Sequence, residues 1–197
     1  MPSWAPSAQG YLVRTSAGDL QADRLVITAG AWAAGLLGAQ GRPLEVTREI
    51  MYWFVPACGT DPFRPGRFPI WMWETADAPI LYGFPALDGP RGGVKVARHH
   101  AGAVTDPEEV ERDVAASEIA EVQEALRPLI PDLAAEPLAA VTCLYTNTPD
   151  EHFLVGPHPE HEGVVVAAGL SGHGFKFASA LGEALAELAT DGRSRVD

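Results

Sequence analysis

The hydrophobic and polar positions of this chain follow an α/β pattern at both ends and a different pattern in the middle. Near the start, Gly10–Thr15 and Leu20–Thr28 predict two short strands around a turn at 16–19. The apolar run of the second strand, ADRLVITA, is typical of a buried strand in a layered α/β sheet. It leads directly into GAWAAGLLG, which predicts a turn of small residues and about two turns of helix.

The middle of the chain has the pattern of an antiparallel sheet with helices. Strands separated by short connections rich in Pro and Gly are predicted at Leu44–Val55, Trp71–Glu74, Ile80–Phe84 and Gly93–His99. Asp106–Glu111 predicts the beginning of a helical region, and Ser117 predicts the cap of a further helix. The apolar positions of that helix and the prolines that end it are Ile119, Val122, Leu126, Leu129, Pro128 and Pro131.

The last third of the chain returns to the α/β pattern. Strands are predicted at Leu138–Thr146, Phe153–Val155 and Gly163–Ala168, followed by the turn LSGHG. A helix then follows, with Phe177, Leu181, Leu185 and Leu188 along one face. The predicted fold class is therefore mixed α+β and α/β, in which the pieces 1–43 and 138–197 flank an antiparallel-sheet domain at 44–137.

The composition argues against several classes of function. The chain has 197 residues, 47% of them hydrophobic, so it can bury a core and is not disordered as a whole. Its formal net charge of -12 repels phosphate backbones and anionic lipids, which argues against nucleic-acid and membrane-surface partners. No apolar run approaches the about 18 residues of a spanning helix, and the first ten residues lack a signal-peptide pattern. The two distant cysteines form neither a disulfide framework nor a CxxC metal motif, so we expect a reduced, cytoplasmic environment.

The Gly-rich turn after the last buried strand is the strongest local indication of a binding site. GVVVAAGLSGHGFKFA combines a strand, a turn with Gly169, Gly172 and Gly174, and the beginning of a helix. Such a turn exposes backbone N–H groups at a helix N-terminus, where an anion is favoured. Lys176 is a cation at this end and opposes the helix dipole, which favours anion binding over a purely structural turn. The spacing is not GxGxxG, and that fingerprint occurs nowhere in the chain.

Two predicted strands place polar side chains on one face. In GVKVARHH, Lys95 and His99 lie on the same side, which indicates either an inward-facing polar site or a solvated edge face. Cys143 and Tyr145 also share a strand face, although a lone cysteine is most often a small buried hydrophobic residue. The six histidines are too dispersed for a metal signature, and HPEH at 158–161 is a weak metal candidate that is better explained as a polar turn.

Four segments resemble the monomeric sarcosine oxidase and N-methyltryptophan oxidase family of D-amino-acid-oxidase-like flavoenzymes. They are ADRLVITAGAW, YGFPALDGPRGGVKVARHH, CLYTNTPDEHFLVGPHPEH and AAGLSGHGFKFA, in the order and spacing of that family. The resemblance implies an FAD-dependent oxidase that acts on the C–N bond of a secondary amino acid such as sarcosine and reduces dioxygen to hydrogen peroxide. It also implies an incomplete, Rossmann-like FAD-binding layer interrupted by an antiparallel-sheet substrate-binding domain.

The resemblance implies roles for individual residues. Cys143 looks like the cysteine that forms a thioether to the flavin ring, and Lys95 looks like the lysine at which dioxygen is activated. Lys176 looks like the residue that pairs with the substrate carboxylate, and His99 and Tyr82 resemble substrate-side residues. Further matches are Met72 over the flavin, Trp71 and Trp73 near an apolar substrate group, and a flavin-contacting turn with Gly169, Ser171, Gly172, His173 and Gly174. Of 14 basic residues only Lys95 and Lys176 are lysines, and both fall at positions where the family has one.

The chain departs from the family in length. Family members are longer and begin with a strand–GxGxxG–helix unit for the ADP half of FAD, and they carry an N-terminal arginine that shares the substrate carboxylate; this chain has neither. It therefore resembles the C-terminal half of such an oxidase, and a second chain that supplies the GxGxxG half is an expected partner. The alternative is a catalytically inactive fragment, or a ligand-binding or partner-docking module of the same fold.

Overall fold

A computed structural model of the chain describes residues 3–75, 78–87 and 92–196. Two compact units contain the described elements, one made of Met1–Val46 and Tyr145–Asp197 and the other of Thr47–Leu144. The domain boundaries at 43/44 and 137/138 stay a prediction. The strands and α-helices are β1 (Ser3–Ser7), β2 (Gly10–Thr15), β3 (Gly18–Ala22), β4 (Leu25–Ile27), α1 (Ala33–Leu37), β5 (Glu45–Phe54), β6 (Trp71–Thr75), β7 (Ala78–Phe84), β8 (Val94–His99), β9 (Ala103–Val104), α2 (Ala116–Leu126), β10 (Pro137–Asn147), β11 (Leu154–Pro157), β12 (Val164–Ala168) and α3 (Ala178–Asp191).

The first unit contains a small sheet that is covered on both faces. Its strand order is β11-β12-β4, with β12 antiparallel to β11 and parallel to β4. All five residues of β12 are buried, because alternate side chains enter opposite cores. Val164 and Val166 pack with residues of α1, whereas Val165 and Ala167 pack with Leu185 of α3. An uninterrupted apolar strand is what a sheet covered on both faces requires.

The second unit contains a larger sheet, called here the central sheet. Its strand order is β10-β5-β8-β7-β6, and β9 pairs with β5 beside this path. Neighbouring strands from β5 to β6 are antiparallel, as short connections allow. Helix α2 packs on one face, where its residues Val122 and Leu126 join a core with strand residues. The strand residues of that core include Tyr52, Phe54, Leu81, Val94 and Val96.

The beginning of the chain has one more sheet than the sequence predicts. Strands β1, β2 and β3 form two antiparallel hairpins, and β1 lies in a segment for which no strand is predicted. The predicted strand Leu20–Thr28 is wrong as a single element, because β3 and β4 belong to different sheets. The Leu25 N–H donates to the Gly163 carbonyl oxygen over 3.0 Å, which begins the pairing of β4 with β12.

The segment before α2 also differs from the prediction. No helix begins in Asp106–Glu111, because the Asp106 carboxylate accepts the N–H of Glu108 over 2.8 Å and closes a local turn. Ser117 does not cap α2, since the helix already begins at Ala116. The cap contact comes instead from Glu118, whose carboxylate accepts the Ala115 N–H over 2.8 Å.

Two further features, a membrane-spanning helix and a cluster of metal ligands, are absent from the described residues. No α-helix in that part of the chain has the length and apolar character needed to cross a membrane. Within the same ranges, no group of three or more His, Cys, Asp or Glu side chains is arranged to hold a metal ion.

Candidate active site

The central sheet presents a polar and aromatic face on the side away from its apolar core. Directly paired residues of antiparallel strands share a face, and Lys95 is paired with both Trp53 and Phe84. In the same way, Tyr82 is paired with Ala97 and with Met72. We call this face the front face; it carries Trp53, Met72, Tyr82, Phe84, Lys95, Ala97 and His99. The prediction that Lys95 and His99 share a strand face is confirmed.

Lys95 lies between two aromatic rings on the front face. Its Nζ atom is 5.3 Å from the ring centroid of Phe84 and 5.8 Å from that of Trp53. Both distances are in the range of cation–π attraction between an ammonium and an aromatic ring, and the Lys95 side chain is half-buried. Strands β5 and β7 therefore hold a positive charge at the centre of this face.

Tyr82 and His99 lie next to each other at one end of the front face. Their ring centroids are 6.0 Å apart with an interplanar angle of 85°, an edge-on arrangement. Tyr82 packs in the same way against Phe84, and His99 against His100 at 4.2 Å. This end of the face can offer a phenol and an imidazole to a small polar molecule.

Cys143 lies on the front face of β10. Thr142 points the opposite way, where its hydroxyl donates to the Arg112 carbonyl oxygen over 3.0 Å, and Ala140 packs against the core behind the sheet. The intervening Cys143 is therefore on the front side and is half-buried. Burial raises the pKa of the Cys143 thiol, and the carboxylate of Glu49 raises this pKa further, whereas the Lys95 ammonium lowers it.

Glu49 also belongs to the front face, although no sequence motif indicates it. Every second residue of β5 points to the same side, so Glu49 shares a face with Met51 and Trp53, and it is only 3% exposed. Its carboxylate accepts the Thr47 hydroxyl over 2.9 Å and the Gly102 N–H over 3.2 Å. The period-two alternation of β5 was the one available clue, and it does not distinguish a buried carboxylate from a solvated one.

Two tryptophans do not have the environment that the resemblance implies. Met72 is on the front face and 62% exposed, but side chains alternate along β6, so Trp71 and Trp73 point to the back. Trp71 packs against the core behind the sheet. An apolar substrate group on the front face would therefore meet Met72 and not these two indoles.

The Gly-rich turn of the first unit is fixed by packing against the end of β10. Ser171 is fully buried, its N–H donates to the Thr146 carbonyl oxygen over 3.0 Å, and its φ is +47°. A Cβ atom on Gly172, whose φ is +72°, would overlap the ring of Tyr145. A Cβ on Gly169 would lie 2.6 Å from the side chain of Thr148. These glycines are required by close packing within the unit.

The residues after this turn are more accessible. His173 packs against the Phe153 ring at 4.8 Å, and one of its ring nitrogens is 3.0 Å from the Glu151 carbonyl oxygen. Lys176 lies in a single 3-10 turn before α3, not in the helix itself, and its ammonium donates to the His173 carbonyl oxygen over 3.0 Å. Phe175 is 94% exposed. The Lys176 Nζ atom is 5.1 Å from the ring centroid of Phe177, which is 43% exposed, so the turn presents a cation beside an accessible aromatic ring.

The HPEH segment forms an aromatic and imidazole cluster. The rings of His158 and His161 are 4.8 Å apart, and the Trp4 indole meets both edge-on. Burial lowers the pKa of His158, and His161 lowers it further. The Nδ1 atom of His158 accepts the N–H of Glu160 over 3.2 Å. This cluster is part of the packing of the first unit.

Comparison with known proteins identifies the family. Residues 4–188 match the family model described as FAD dependent oxidoreductase. The chain belongs to this FAD-dependent oxidoreductase family. It is 46% identical over 193 residues to a protein named monomeric sarcosine oxidase from Streptomyces avermitilis, a match that covers 98% of this chain and 50% of the relative.

Other relatives lead to the same assignment. The chain is 40% identical over 182 residues to human peroxisomal sarcosine oxidase, covering 89% of this chain and 46% of that one. It is 34% identical over 190 residues to N-methyl-L-tryptophan oxidase from Escherichia coli, and the match covers 95% of this chain and 49% of the relative. The predicted resemblance is therefore confirmed. The chain spans about half the length of the curated relatives it matches.

Solved structures share the fold at lower identity. NikD, an amino acid oxidase of nikkomycin biosynthesis, superposes with a TM-score of 0.78 at 21% identity, covering 99% of this chain and 51% of NikD. L-Proline dehydrogenase from P. horikoshii superposes with a TM-score of 0.77 at 23% identity, and the match covers 98% of this chain and 50% of the dehydrogenase. These values show that the chain shares the fold of these two structures, with mixed helices and sheets.

Proposed function

We propose that this chain carries the substrate side of an FAD-dependent oxidase that acts on the C–N bond of a secondary, N-methyl amino acid such as sarcosine. The observation that supports this most is the front face, where Lys95, Cys143, Tyr82 and His99 lie on one side of the central sheet. They do so in a chain that is 46% identical to a protein named monomeric sarcosine oxidase. The proposed electron acceptor is dioxygen, and the proposed products are an imine and hydrogen peroxide.

The proposed reaction balances in two halves. The C–N single bond of the amine becomes a C=N double bond, so the amine gives up two electrons and two protons. Dioxygen then takes two electrons and two protons to become hydrogen peroxide. FAD supplies the electron-accepting chemistry when bound, so the residues of this chain have to bind, orient and stabilise charge.

The front face has the chemistry to hold an aromatic, electron-accepting ring system. Cys143 is a half-buried sulfur that could attach it covalently, and we propose this thiol as the attachment point. Lys95 holds a positive charge between two rings, where it can stabilise negative charge that develops on dioxygen. Tyr82 and His99 are proposed to orient the substrate amine.

The first unit contributes a second set of proposed residues. Lys176 is a cation beside the ring of Phe177, and we propose that its ammonium pairs with the substrate carboxylate. The turn residues Gly169, Ser171, Gly172, His173 and Gly174 are proposed to contact the cofactor through the backbone. Close packing of the glycines explains their identity without a ligand, so these contacts rest on the resemblance.

We also propose that a further polypeptide supplies the GxGxxG unit for the ADP half of FAD. Strand β4 is the end strand of its sheet among the described residues, and Val26 on it is 42% exposed. An apolar groove beside β4 is lined by Trp4, Val13 and Leu36. An uncovered strand edge next to an apolar groove is suited to the addition of another strand.

The test is the intact mass and visible spectrum of the acid-denatured chain, purified alone and after co-expression with the N-terminal half of a family member. We expect yellow protein, heavier by one FAD, with the adduct mapped to Cys143. The variant Cys143→Ser should lose the covalent adduct, and Cys58→Ser is the matched control because Cys58 is exposed and outside the front face. Colourless chain of unmodified mass in both preparations would contradict the proposal and favour a binding or docking module.

A further inference from the structure

Two aromatic rings are the close partners of the Lys95 ammonium in the part of the chain that the structure describes. Lys95 is paired directly with Trp53 on β5 and with Phe84 on β7, so three neighbouring strands place the side chains next to one another on the front face. The Lys95 Nζ atom is 5.8 Å from the ring centroid of Trp53 and 5.3 Å from that of Phe84. Within the described ranges this ammonium has no hydrogen bond or ion pair, so the rings are what holds it.

A lysine side chain needs contacts of some kind to keep its ammonium in one place, because its four-carbon stem is flexible. A carboxylate would fix the ammonium but would also neutralise its charge. A ring face attracts the cation and leaves its charge available to a third group. The other lysine is held differently, since the Lys176 ammonium donates to the His173 carbonyl oxygen over 3.0 Å.

We propose that Trp53 and Phe84 are positioning residues that act through Lys95: their rings fix its ammonium at the centre of the front face, where its charge stays available to a group that becomes negative. This inference deepens the proposed function and rests on it, because it concerns the cation that we assign to the reduction of dioxygen. Electrostatic stabilisation is effective when the stabilising charge is in place before the reaction begins. The two rings supply that placement.

The two rings differ in their other contacts. Phe84 also meets the Tyr82 ring edge-on, with centroids 6.2 Å apart at 79°, and Tyr82 in turn meets His99. Trp53 lies on β5, on the other side of β8 from these residues. Phe84 therefore links Lys95 to the pair that we assign to the substrate, and Trp53 gives the cleaner test of the contact with Lys95.

The first experiment observes the two lysines by NMR in the chain without flavin. Lys95 and Lys176 are the only lysines in the sequence, so expression with lysine that carries ¹³C at Cε gives two Hε–Cε signals. The variant Lys176→Arg assigns them. Protons held over a ring face are shifted upfield, so we expect the Lys95 signal upfield of its position in the urea-unfolded chain.

Trp53→Leu and Phe84→Leu should each reduce this upfield shift of the Lys95 signal and leave the Lys176 signal unchanged. The conservative variants Trp53→Phe and Phe84→Tyr keep a ring face and should retain most of the shift. The matched control is Phe177→Leu, which removes the ring 5.1 Å from the Lys176 Nζ atom and should move only the Lys176 signal. Circular dichroism checks that each variant is folded.

The second experiment uses FAD-loaded protein and stopped-flow absorbance. Trp53→Leu should slow reoxidation of the flavin about threefold or more, the effect of losing one cation–π contact, and slow reduction by substrate less. In a Lys95→Met background the same substitution should have no further effect on reoxidation, because the ring then has no ammonium to hold. Phe84→Leu should slow both half-reactions, because Tyr82 loses a neighbour as well.

Two results would overturn the inference. One is a Lys95 signal that keeps its position in both leucine variants; the other is equal slowing of reoxidation by Trp53→Leu with and without Lys95, which indicates a general structural effect. The NMR experiment contains no flavin, so it separates the inference from the proposed function. A Lys95 signal that moves in the variants, together with normal reoxidation in Lys95→Met, would leave the rings as positioning residues and remove Lys95 from the reduction of dioxygen. An unmoved signal together with slow reoxidation in Lys95→Met would do the opposite.

Discussion

At the scale of single residues, Lys95 carries the most specific expectation. Its ammonium is held between Trp53 and Phe84, and we propose that it stabilises negative charge on dioxygen and takes no part in removing hydrogen from the substrate amine. In FAD-loaded protein, Lys95→Met should slow reoxidation of the flavin by dioxygen by about 100-fold or more, and slow reduction by substrate much less. Stopped-flow absorbance measures the two half-reactions separately.

The other lysine supplies the control for this prediction. Lys176→Met removes the cation that we assign to the substrate carboxylate, so it should slow reduction by an amino acid and leave reoxidation nearly unchanged. Equal slowing of both half-reactions by Lys95→Met would contradict its role at dioxygen. The opposite patterns of the two variants would show that each lysine serves one half-reaction.

The sequence predicts which face a side chain lies on where apolar and polar residues alternate regularly along a strand. Alternation along β8 was enough to place Lys95 and His99 on one face. Glu49 could not be foreseen as buried, because its environment is formed by Gly102 and by a strand about ninety residues away in sequence. The same alternation explains why Trp71 and Trp73 do not share a face with Met72, as the role implied by the resemblance requires: residues that flank Met72 on a strand point to the other face.

At the scale of elements, the link between β5 and α2 gives a pH-dependent prediction. The Arg48 guanidinium donates to both carboxylate oxygens of Glu118, over 2.6 and 3.3 Å, and to the Glu111 carbonyl oxygen over 2.7 Å. Arg48 lowers the pKa of Glu118, so ionised Glu118 stabilises the folded chain fully above its ordinary pKa. That contribution is lost as the pH falls from the ordinary pKa of a glutamate through the lowered pKa of Glu118.

We therefore expect Glu118→Gln to lower the free energy of unfolding by about 2 kcal/mol at pH 7 and by progressively less toward pH 3. Urea unfolding at several pH values measures this difference. The control is Glu124→Gln on the same helix, whose carboxylate is 3.7 Å from Arg127 and exposed, and which should have little effect at any pH. A loss that is independent of pH would show that Glu118 acts through packing alone.

The Gly-rich turn gives the second prediction at this scale. Gly172→Ala should destabilise the chain by about 3 kcal/mol, because the new Cβ meets the Tyr145 ring and φ is +72°. Gly182→Ala is the matched control, since this glycine is within α3 with open space at its Cβ position, and alanine should stabilise by about 0.5–1 kcal/mol. Thermal unfolding distinguishes the two. A tolerated Gly172→Ala would mean that Tyr145 can move away from the turn.

Helices and strands were predicted correctly where apolar residues recur regularly over a long segment. The prediction failed where a side chain forms hydrogen bonds with nearby backbone N–H groups. Strands β5, β7 and β8 and helix α2 are close to their predicted ranges, because each buries a regular face. The predicted helical start at Asp106 failed because a carboxylate competes for the backbone N–H groups that a helix would use. The side chain of Glu118 likewise made Ser117 unnecessary as a cap.

At the scale of the whole molecule, the pairing of β4 with β12 is the feature that local patterns cannot predict. It joins Leu25–Ile27 to Val164–Val166 in parallel, in a sheet whose strand β12 packs against α1 on one face and against α3 on the other. Apolar runs at both positions indicated buried strands but not which strand each one meets. The match of residues 4–188 to the family model assigns the fold as a whole, and the fold includes the pairing of these two strands.

The exposed edge of β4 leads to a prediction about how this chain pairs with a second polypeptide. The chain spans about half of its relatives, and the groove at β4 is apolar, with Val26 exposed. Co-expression with the N-terminal half of a family member should therefore give a co-purifying pair. Val26→Lys should abolish that pair, because a charged side chain cannot enter an apolar contact without a partner.

The matched control is Val104→Lys, which makes the same change at a valine that is 63% exposed on β9, in the other unit. Size-exclusion chromatography with multi-angle light scattering measures the pair in each case. Loss of the pair in Val26→Lys but not in Val104→Lys places the contact at β4. Because flavin colour should depend on the same pair, FAD absorbance should fall together with the paired fraction. A yellow, unpaired Val26→Lys chain would show that the chain holds FAD without a partner at β4.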